Sequence, residues 1–264
     1  MTKETEWVTM INIARFNRKI VKMSTILCCS VVLTYTFLRF FSMKYQGKSL
    51  LLRAYFPYDV DVSPNYELTM LAQLVAAFYA AICYTAVDTF VATLILHICG
   101  QLSNLQRELK ELRGPDEKDF NGRIMKIVEK HEYLNRFADM TENCFNKMLL
   151  IQILGCTVQL CFQCFQAIMP ADTEENNYLL VQFLFLVLYV IYVMLQLFLY
   201  CYVGQKLSAE SIAIINAAYD TEWYDMPPRD AKLLIVIMCR ARLPLRITAG
   251  KFSSFTLNLY TTVH

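Results

Sequence analysis

The sequence predicts an all-α fold, a polytopic membrane helix bundle with long cytosolic helix extensions. Three observations carry that reading. Apolar runs of membrane-spanning length recur four times, at about residues 23–43, 65–99, 148–169 and 178–203. Helix-compatible charged sequence continues from the second and fourth runs and leads into the third. The composition is 56% hydrophobic against 18% charged, with a mean hydropathy of +0.35, which is the balance of a membrane protein. The net charge of +2 singles out no class of partner, and no nucleic-acid partner is expected.

The first helix is expected from about Arg15 to Tyr45. Within it Met23–Met43 is apolar apart from Arg39, and its 21 residues rise roughly 32 Å, about one hydrocarbon core. Arg39 is placed near the outer end, where its side chain can snorkel to the interface. Arg15, Arg18, Lys19 and Lys22 make a basic flank just before the apolar part. The start of the chain lacks the apolar core and small-residue cleavage site of a secretory signal, so insertion relies on the spans themselves. Residues 44–66 follow as a loop, punctuated by Pro57 and Pro64 and carrying Asp59 and Asp61.

The second helix begins near Asn65 and stays apolar to Cys99, but its pattern continues through GQLSNLQRELKELR until Gly114 and Pro115. Roughly 48 residues make a helix about 70 Å long, more than a bilayer needs, so its end projects into water. Asp116–Met140 supplies a matching charged helix, with Ile124, Ile127, Val128, Tyr133, Leu134 and Phe137 available for one face. It leads without a breaker into the third apolar run, Met148–Met169. After Pro170 and the acidic loop ADTEENN, the fourth run, Tyr178–Val203, continues as GQKLSAESIAIINAAYDTEWY and also outlasts the membrane. Pro227 and Pro228 punctuate, Arg229–Leu243 reads as a short amphipathic helix, and Pro244 introduces the last segment. That segment is apolar yet dotted with Thr248, Ser253, Ser254, Thr256, Asn258, Thr261 and Thr262, a mixture suited to a helix with one wet and one packed face.

The organisation is therefore five parts. Residues 1–99 hold the first two spans and an outer loop, and 100–147 a cytosolic helical hairpin. Residues 148–203 hold the third and fourth spans, 204–243 the helix extension with the amphipathic helix, and 244–264 an incomplete last helix. Lysine and arginine set the orientation. Residues 1–22 carry five, 100–147 nine and 204–232 three, against three in 44–66 and none in 170–177, which places the first three regions and the amino terminus inside. No N-x-[ST] glycosylation acceptor occurs to check this topology.

Enzyme chemistry has no support. Thr248–Lys251 (TAGK) resembles part of a phosphate-binding loop, but Leu245 stands where the first glycine is needed and Phe252 replaces the magnesium-binding hydroxyl. Metalloprotease, nucleophile-elbow, dinucleotide and EF-hand motifs are missing, and His97, His131 and His264 are too scattered for a metal site. No metal or cofactor is expected. The ten cysteines, at 28, 29, 83, 99, 144, 156, 161, 164, 201 and 239, lie almost all within apolar runs or at their edges. A disulfide framework is not expected, and Cys161 with Cys164 reads as two small apolar residues on one helix face.

Asp88 is the one acid inside an apolar run. An intramembrane carboxylate is a functional candidate by default; at the cytosolic end of its span it can also be structural, satisfied by water or a neighbouring helix, and that role is the expectation. Aromatic residues are dense in the outer halves of the spans: Tyr35 and Phe37, Phe78 and Tyr79, Tyr189 and Tyr192. Singly they suit a bundle core or an interfacial belt; together they suit a closed apolar pocket whose few hydroxyls orient a small ligand.

The end of the fourth run, CYVGQKLSAESIAIINAAYDTEWY, resembles the signature of insect odorant receptors through its Tyr-x-Gly-Gln pattern, Glu210 and Ser211, Ala218 and Tyr219, and Trp223 with Tyr224. MCRARLPLRITAGKF is similar to that family's amphipathic helix, proline and Thr-Ala-Gly-Lys before the final helix. SPNYELTMLAQ and DTFVATLILHICGQLSNLQREL agree, with Asp88, His97, Gln101 and Leu105 at expected places. The resemblance implies a seven-helix, amino-terminus-inside receptor in the plasma membrane of olfactory sensory neurons. Such a receptor works as an odorant-gated, non-selective cation channel in a hetero-tetramer with a co-receptor. It implies a small volatile apolar ligand at Tyr35, Phe37, Phe78, Tyr79, Tyr189 and Tyr192. Subunit-anchoring roles fall to Tyr219, Trp223, Arg240, Pro244, Thr248, Gly250 and Lys251. Ile247–His264 becomes the start of the pore helix, with Thr256, Asn258 and Thr262 as its wet face. Against the family pattern the chain begins before the third helix and stops short of the gate. A G-protein-coupled chemoreceptor, or a nonconducting membrane scaffold or fragment, is the alternative.

Overall fold

A computed structural model describes residues 2–46, 50–51, 54–60, 62–112, 120–168 and 176–258, with the side chains of 2–3, 41–46, 166–168 and 176–182 left aside. Four helices dominate: α1 (Thr2–Gln46), α2 (Asn65–Lys110), α3 (Phe120–Ile168) and α4 (Asn176–Tyr219). Each is long and apolar enough to cross a membrane. A 3-10 turn at Trp223–Asp225 precedes α5 (Pro228–Ala241), which starts on a proline whose missing N–H costs nothing in the first turn. Strands β1 (Thr248–Ala249) and β2 (Ser253–Ser254) pair antiparallel, and Leu257 and Asn258 are helical.

The chain divides into two compact units, and each long helix contributes a segment to both. An extension unit comprises Met1–Arg18, Val91–Ile153 and Leu197–His264; a span unit comprises Lys19–Phe90 and Leu154–Gln196.

In the extension unit the helices bury stripes built from steps of three and four residues. Val91, Ile95, Ile98, Leu102, Leu105 and Leu109 form the stripe of α2. Ile124, Ile127, His131, Leu134, Ala138 and Thr141 form that of α3, and Val203, Leu207, Ser211, Ile214 and Ala218 that of α4. These steps average close to the 3.6 residues of a helical turn, so one face of each helix stays on a neighbour over several turns. Leu234, Ile237 and Ala241 of α5 are buried at the same steps. Polar contacts tie the helices pairwise: Gln106 Nε2 donates to Glu210 Oε2 at 2.9 Å, Lys130 pairs with Glu108 at 2.6 Å, and Arg107 donates to Thr9 Oγ1 at 2.9 Å.

Two expectations change here. On α3 the buried face includes His131, whereas Tyr133 is exposed: two residues from His131, it lies about 200° around the helix. The last helix does not start at Ile247. Residues 248–254 form a hairpin whose turn places Gly250 and Lys251 at φ of 59° and 66°, and two successive left-handed residues cannot belong to an α-helix. Phe252 N–H donates to the Ala249 carbonyl at 3.1 Å and closes that turn.

Burial, and secondarily the nearby Arg240 guanidinium, holds the His131 imidazole below its ordinary value of 6.5, with Glu132 opposing. Asn135 Nδ2 lies 3.4 Å from His131 Nε2. The folded state therefore binds this proton less readily than the unfolded chain, so its stability is complete above the unfolded value and is lost as pH falls below it. Thermal unfolding of the detergent-solubilised protein should shift downward between pH about 7.5 and about 5.5, and His131→Gln should flatten that shift.

Candidate ligand-binding site

The span unit contains a cluster built from α1, α3 and α4. Leu38, Phe185 and Tyr189 are buried, with Val31, Tyr35, Leu160 and Val193 packed against them. The Tyr35 and Phe185 ring centroids are 5.6 Å apart and those of Phe185 and Tyr189 6.2 Å, so the three rings are continuous. Helical spacing explains the assembly: Phe185, Tyr189 and Val193 recur every four residues on α4, and Val31, Tyr35 and Leu38 share a face of α1.

A band of polar groups continues along these helices and α2. Tyr192, three residues after Tyr189, has its hydroxyl beside Cys28 and Thr85. Tyr84 OH lies 3.7 Å from Cys156 Sγ, and Cys28 Sγ lies 3.6 Å from the Ala81 carbonyl oxygen. Asp88 is 4% exposed and accepts a hydrogen bond from the Gln196 side-chain amide. The intramembrane acid thus has a donor on the adjacent helix, which links α2 to α4. Arg39 donates from Nε to the Leu51 carbonyl at 3.2 Å. The whole arrangement is apolar aromatic surface next to hydroxyl, thiol and amide groups, suited to a small, mostly apolar molecule with one polar group.

Of the predicted pocket residues, the structure brings Tyr35 and Tyr189 together and places Tyr192 one turn away. Phe78 is half-buried outside the cluster, and Phe37 and Tyr79 are 60% and 71% exposed. Phe37 is two residues from Tyr35 and turns to the opposite side of α1; Tyr79 is turned about 100° from Phe78. Leu38 and Phe185 were not among the expected residues, although the four-residue step back from Tyr189 leads directly to Phe185.

The residues expected to anchor subunits lie in the extension unit. The exposed ring of Tyr219 meets Trp223 edge-on at 6.4 Å, and Trp223 meets Tyr224 at 6.2 Å. Arg240 is exposed near the end of α5, and Pro244 is half-buried just after it. Thr248 is bonded to Glu142, and Gly250 and Lys251 form the hairpin turn. Thr256 is half-buried, Asn258 is exposed, and Thr262 lies outside the described residues.

A sequence profile described as the 7tm odorant receptor matches residues 2–264. The chain belongs to that family. Odorant receptor 13a of Drosophila melanogaster is 26% identical over 236 residues, 83% of this chain and 55% of its own length. Odorant receptor 10 of Aedes albopictus is 23% identical over 205 residues, 76% of this chain and 53% of its own. The odorant receptor coreceptor of Aedes aegypti is 29% identical over 137 residues, 52% of this chain and 27% of its own. This family member therefore spans about half the length of the curated receptors it matches. Its fold is shared with the insect olfactory receptor OR5 from Machilis hrabei in complex with eugenol, with a TM-score of 0.82 at 18% identity over 98% of this chain and 66% of that one. With four helices of spanning length, this odorant receptor family member is a multi-pass membrane protein, and the all-α bundle is as expected.

Replacing Gln196 by Leu removes the amide that Asp88 accepts from. A buried carboxylate that loses a donor is expected to cost about 2–4 kcal/mol, read as a lower unfolding temperature of the solubilised protein. The double variant Asp88→Leu with Gln196→Leu should recover much of that loss, because no charge is left buried.

Proposed function

We propose that this chain acts as an odorant receptor subunit which, with an odorant receptor coreceptor, forms an odorant-gated non-selective cation channel. The continuous ring cluster Tyr35, Phe185 and Tyr189 beside the hydroxyl of Tyr192 carries the ligand-binding half of the reading, since it offers apolar contact with a nearby hydrogen-bonding group. Family membership carries the channel half. The ligand is a small, volatile, largely apolar molecule, and it acts by binding one conformation of the helices more tightly than another. The solved relative's complex with eugenol supports a ligand of this chemistry.

In this reading Tyr219, Trp223, Arg240, Pro244, Thr248, Gly250 and Lys251 contribute to the contact between subunits of a tetramer. Asn258 and Thr262 contribute the wet face of the last helix, and Thr256, which precedes its first helical residue, stands at its mouth. In the same reading residues 1–99 and 148–203 supply the spans, 100–147 and 204–243 the anchor, and 244–264 lead into the pore. The lysine and arginine distribution supports a cytosolic amino terminus, and membership of the odorant receptor family supports a place in the plasma membrane of an olfactory sensory neuron.

Cells expressing the chain with a coreceptor should carry cation current in response to members of an odorant panel that includes eugenol. Phe185→Ala or Tyr189→Ala should raise the half-maximal concentration by about tenfold or more at unchanged surface abundance, as expected when an aromatic wall worth roughly 1.5–3 kcal/mol of contact is removed. Silence across the panel in a surface-expressed complex would count against the channel. An epitope tag at Met1 should stain only after permeabilisation; staining of intact cells would reverse the orientation and favour a G-protein-coupled chemoreceptor.

A further inference from the structure

The hairpin between α5 and the last helix rests on one row of α3. Glu142, Asn146 and Leu150 follow one another at four-residue steps, which puts them on one face. The Glu142 carboxylate accepts twice from Thr248: the backbone N–H donates to Oε2 at 2.9 Å, and the side-chain hydroxyl donates to Oε1. The Asn146 carbonyl accepts from Gly250 N–H at 2.9 Å. At Leu150 the fit is steric, because a Cβ added to Gly250 would come within 2.5 Å of Leu150 Cδ2.

Helix α4 closes the other side. A Cβ on Gly204 would overlap the Phe255 carbonyl oxygen, the Tyr200 and Phe255 rings are 5.5 Å apart, and Leu245 N–H donates to Ser211 Oγ at 3.1 Å. Phe255 N–H returns to the Ile247 carbonyl at 2.9 Å, which closes the segment two residues before the helical Leu257. Thr248 also orders the turn from within, its hydroxyl oxygen accepting from Lys251 N–H at 3.1 Å.

We infer that Glu142 is a positioning residue: its two-point grip on Thr248 seats the 248–254 hairpin on α3 and thereby sets where the last helix begins. The chemistry favours Glu142 over its neighbours in that role. It is the charged member of the row, hydrogen bonds to a carboxylate are about twice as strong as neutral ones, and its two oxygens restrain both the main chain and the side chain of one residue. Movement of α3 is then carried to the start of the last helix through this contact.

Amide hydrogen exchange on the full chain in nanodiscs tests this without ligand or current, so silence in the recordings above leaves it standing. Glu142→Ala should speed exchange of peptides covering 246–252 by about tenfold or more, and the increase should extend to the amides of 255–258, while α5 remains as in the wild type. Glu142→Gln, which keeps one acceptor, should restore most of the protection. Thr248→Val should give an intermediate increase, and combining it with Glu142→Ala should give less than the sum of the two, as expected of partners in one contact; the part that remains is the Lys251 N–H bond that the Thr248 hydroxyl also accepts. Unchanged exchange at 246–252 in Glu142→Ala would overturn the inference. Faster exchange confined to the hairpin with 255–258 unaffected would do the same, as would an increase spread equally through α3 and α5. Should Glu142→Ala not fold, the cycle of Glu142→Gln with Thr248→Val decides: non-additive effects support the grip, and simple addition refutes it.

Discussion

In hydrocarbon, a backbone N–H or C=O left without a partner costs several kcal/mol, so a chain of this composition has to satisfy its main chain within each segment. That constraint accounts for the four long helices. It does not account for their length, since 44 to 49 residues is about twice what a bilayer requires. The surplus is used in the extension unit, where the stripes of α2, α3 and α4 recur at three- and four-residue steps and hold the helices together through Leu102, Leu105, Leu207, Ile214 and their neighbours.

The two units rely on different physics. Where the extension unit runs beyond the apolar stretches, as at Leu105, Leu109, Leu207 and Ile214, burial of leucine and isoleucine from water drives packing, and the polar contacts Gln106 to Glu210 and Lys130 to Glu108 select which helices meet. In the span unit apolar surface carries no such drive, because lipid is as apolar as the side chains. Ring contacts and a few polar pairs do more of the work there, Asp88 with Gln196 among them. The same scarcity of strong contacts makes the aromatic cluster suited to exchanging a side-chain contact for a ligand contact.

The hairpin is the one described part of the extension unit where strand pairing replaces helix between α5 and the last helical residues. Left-handed conformations at Gly250 and Lys251 end any helical path, and the resulting free N–H groups of Thr248 and Gly250 are taken up by Glu142 and by the Asn146 carbonyl of α3. A break in regular structure is thus turned into a fixed joint. Glycine is required on both sides of it: Gly250 for its backbone conformation and its contact with Leu150, and Gly204 for the approach of Phe255.

Sequence alone determined the helical class, the four spans and their overlong extensions, because these depend on run length and on the three-to-four-residue recurrence of apolar side chains, both of which are local. It also marked Asp88 as an acid in need of a partner and Tyr35 and Tyr189 as aromatic wall. Only the tertiary structure decided that Gln196, 108 residues away, is that partner, that Phe185 joins the two tyrosines, and that Phe37 and Tyr79 do not. The same holds for the hairpin. Thr248–Lys251 could be read as part of a helix until Glu142, Asn146 and Leu150 were seen to hold it, since the contacts that override a local preference come from a distant segment of the chain.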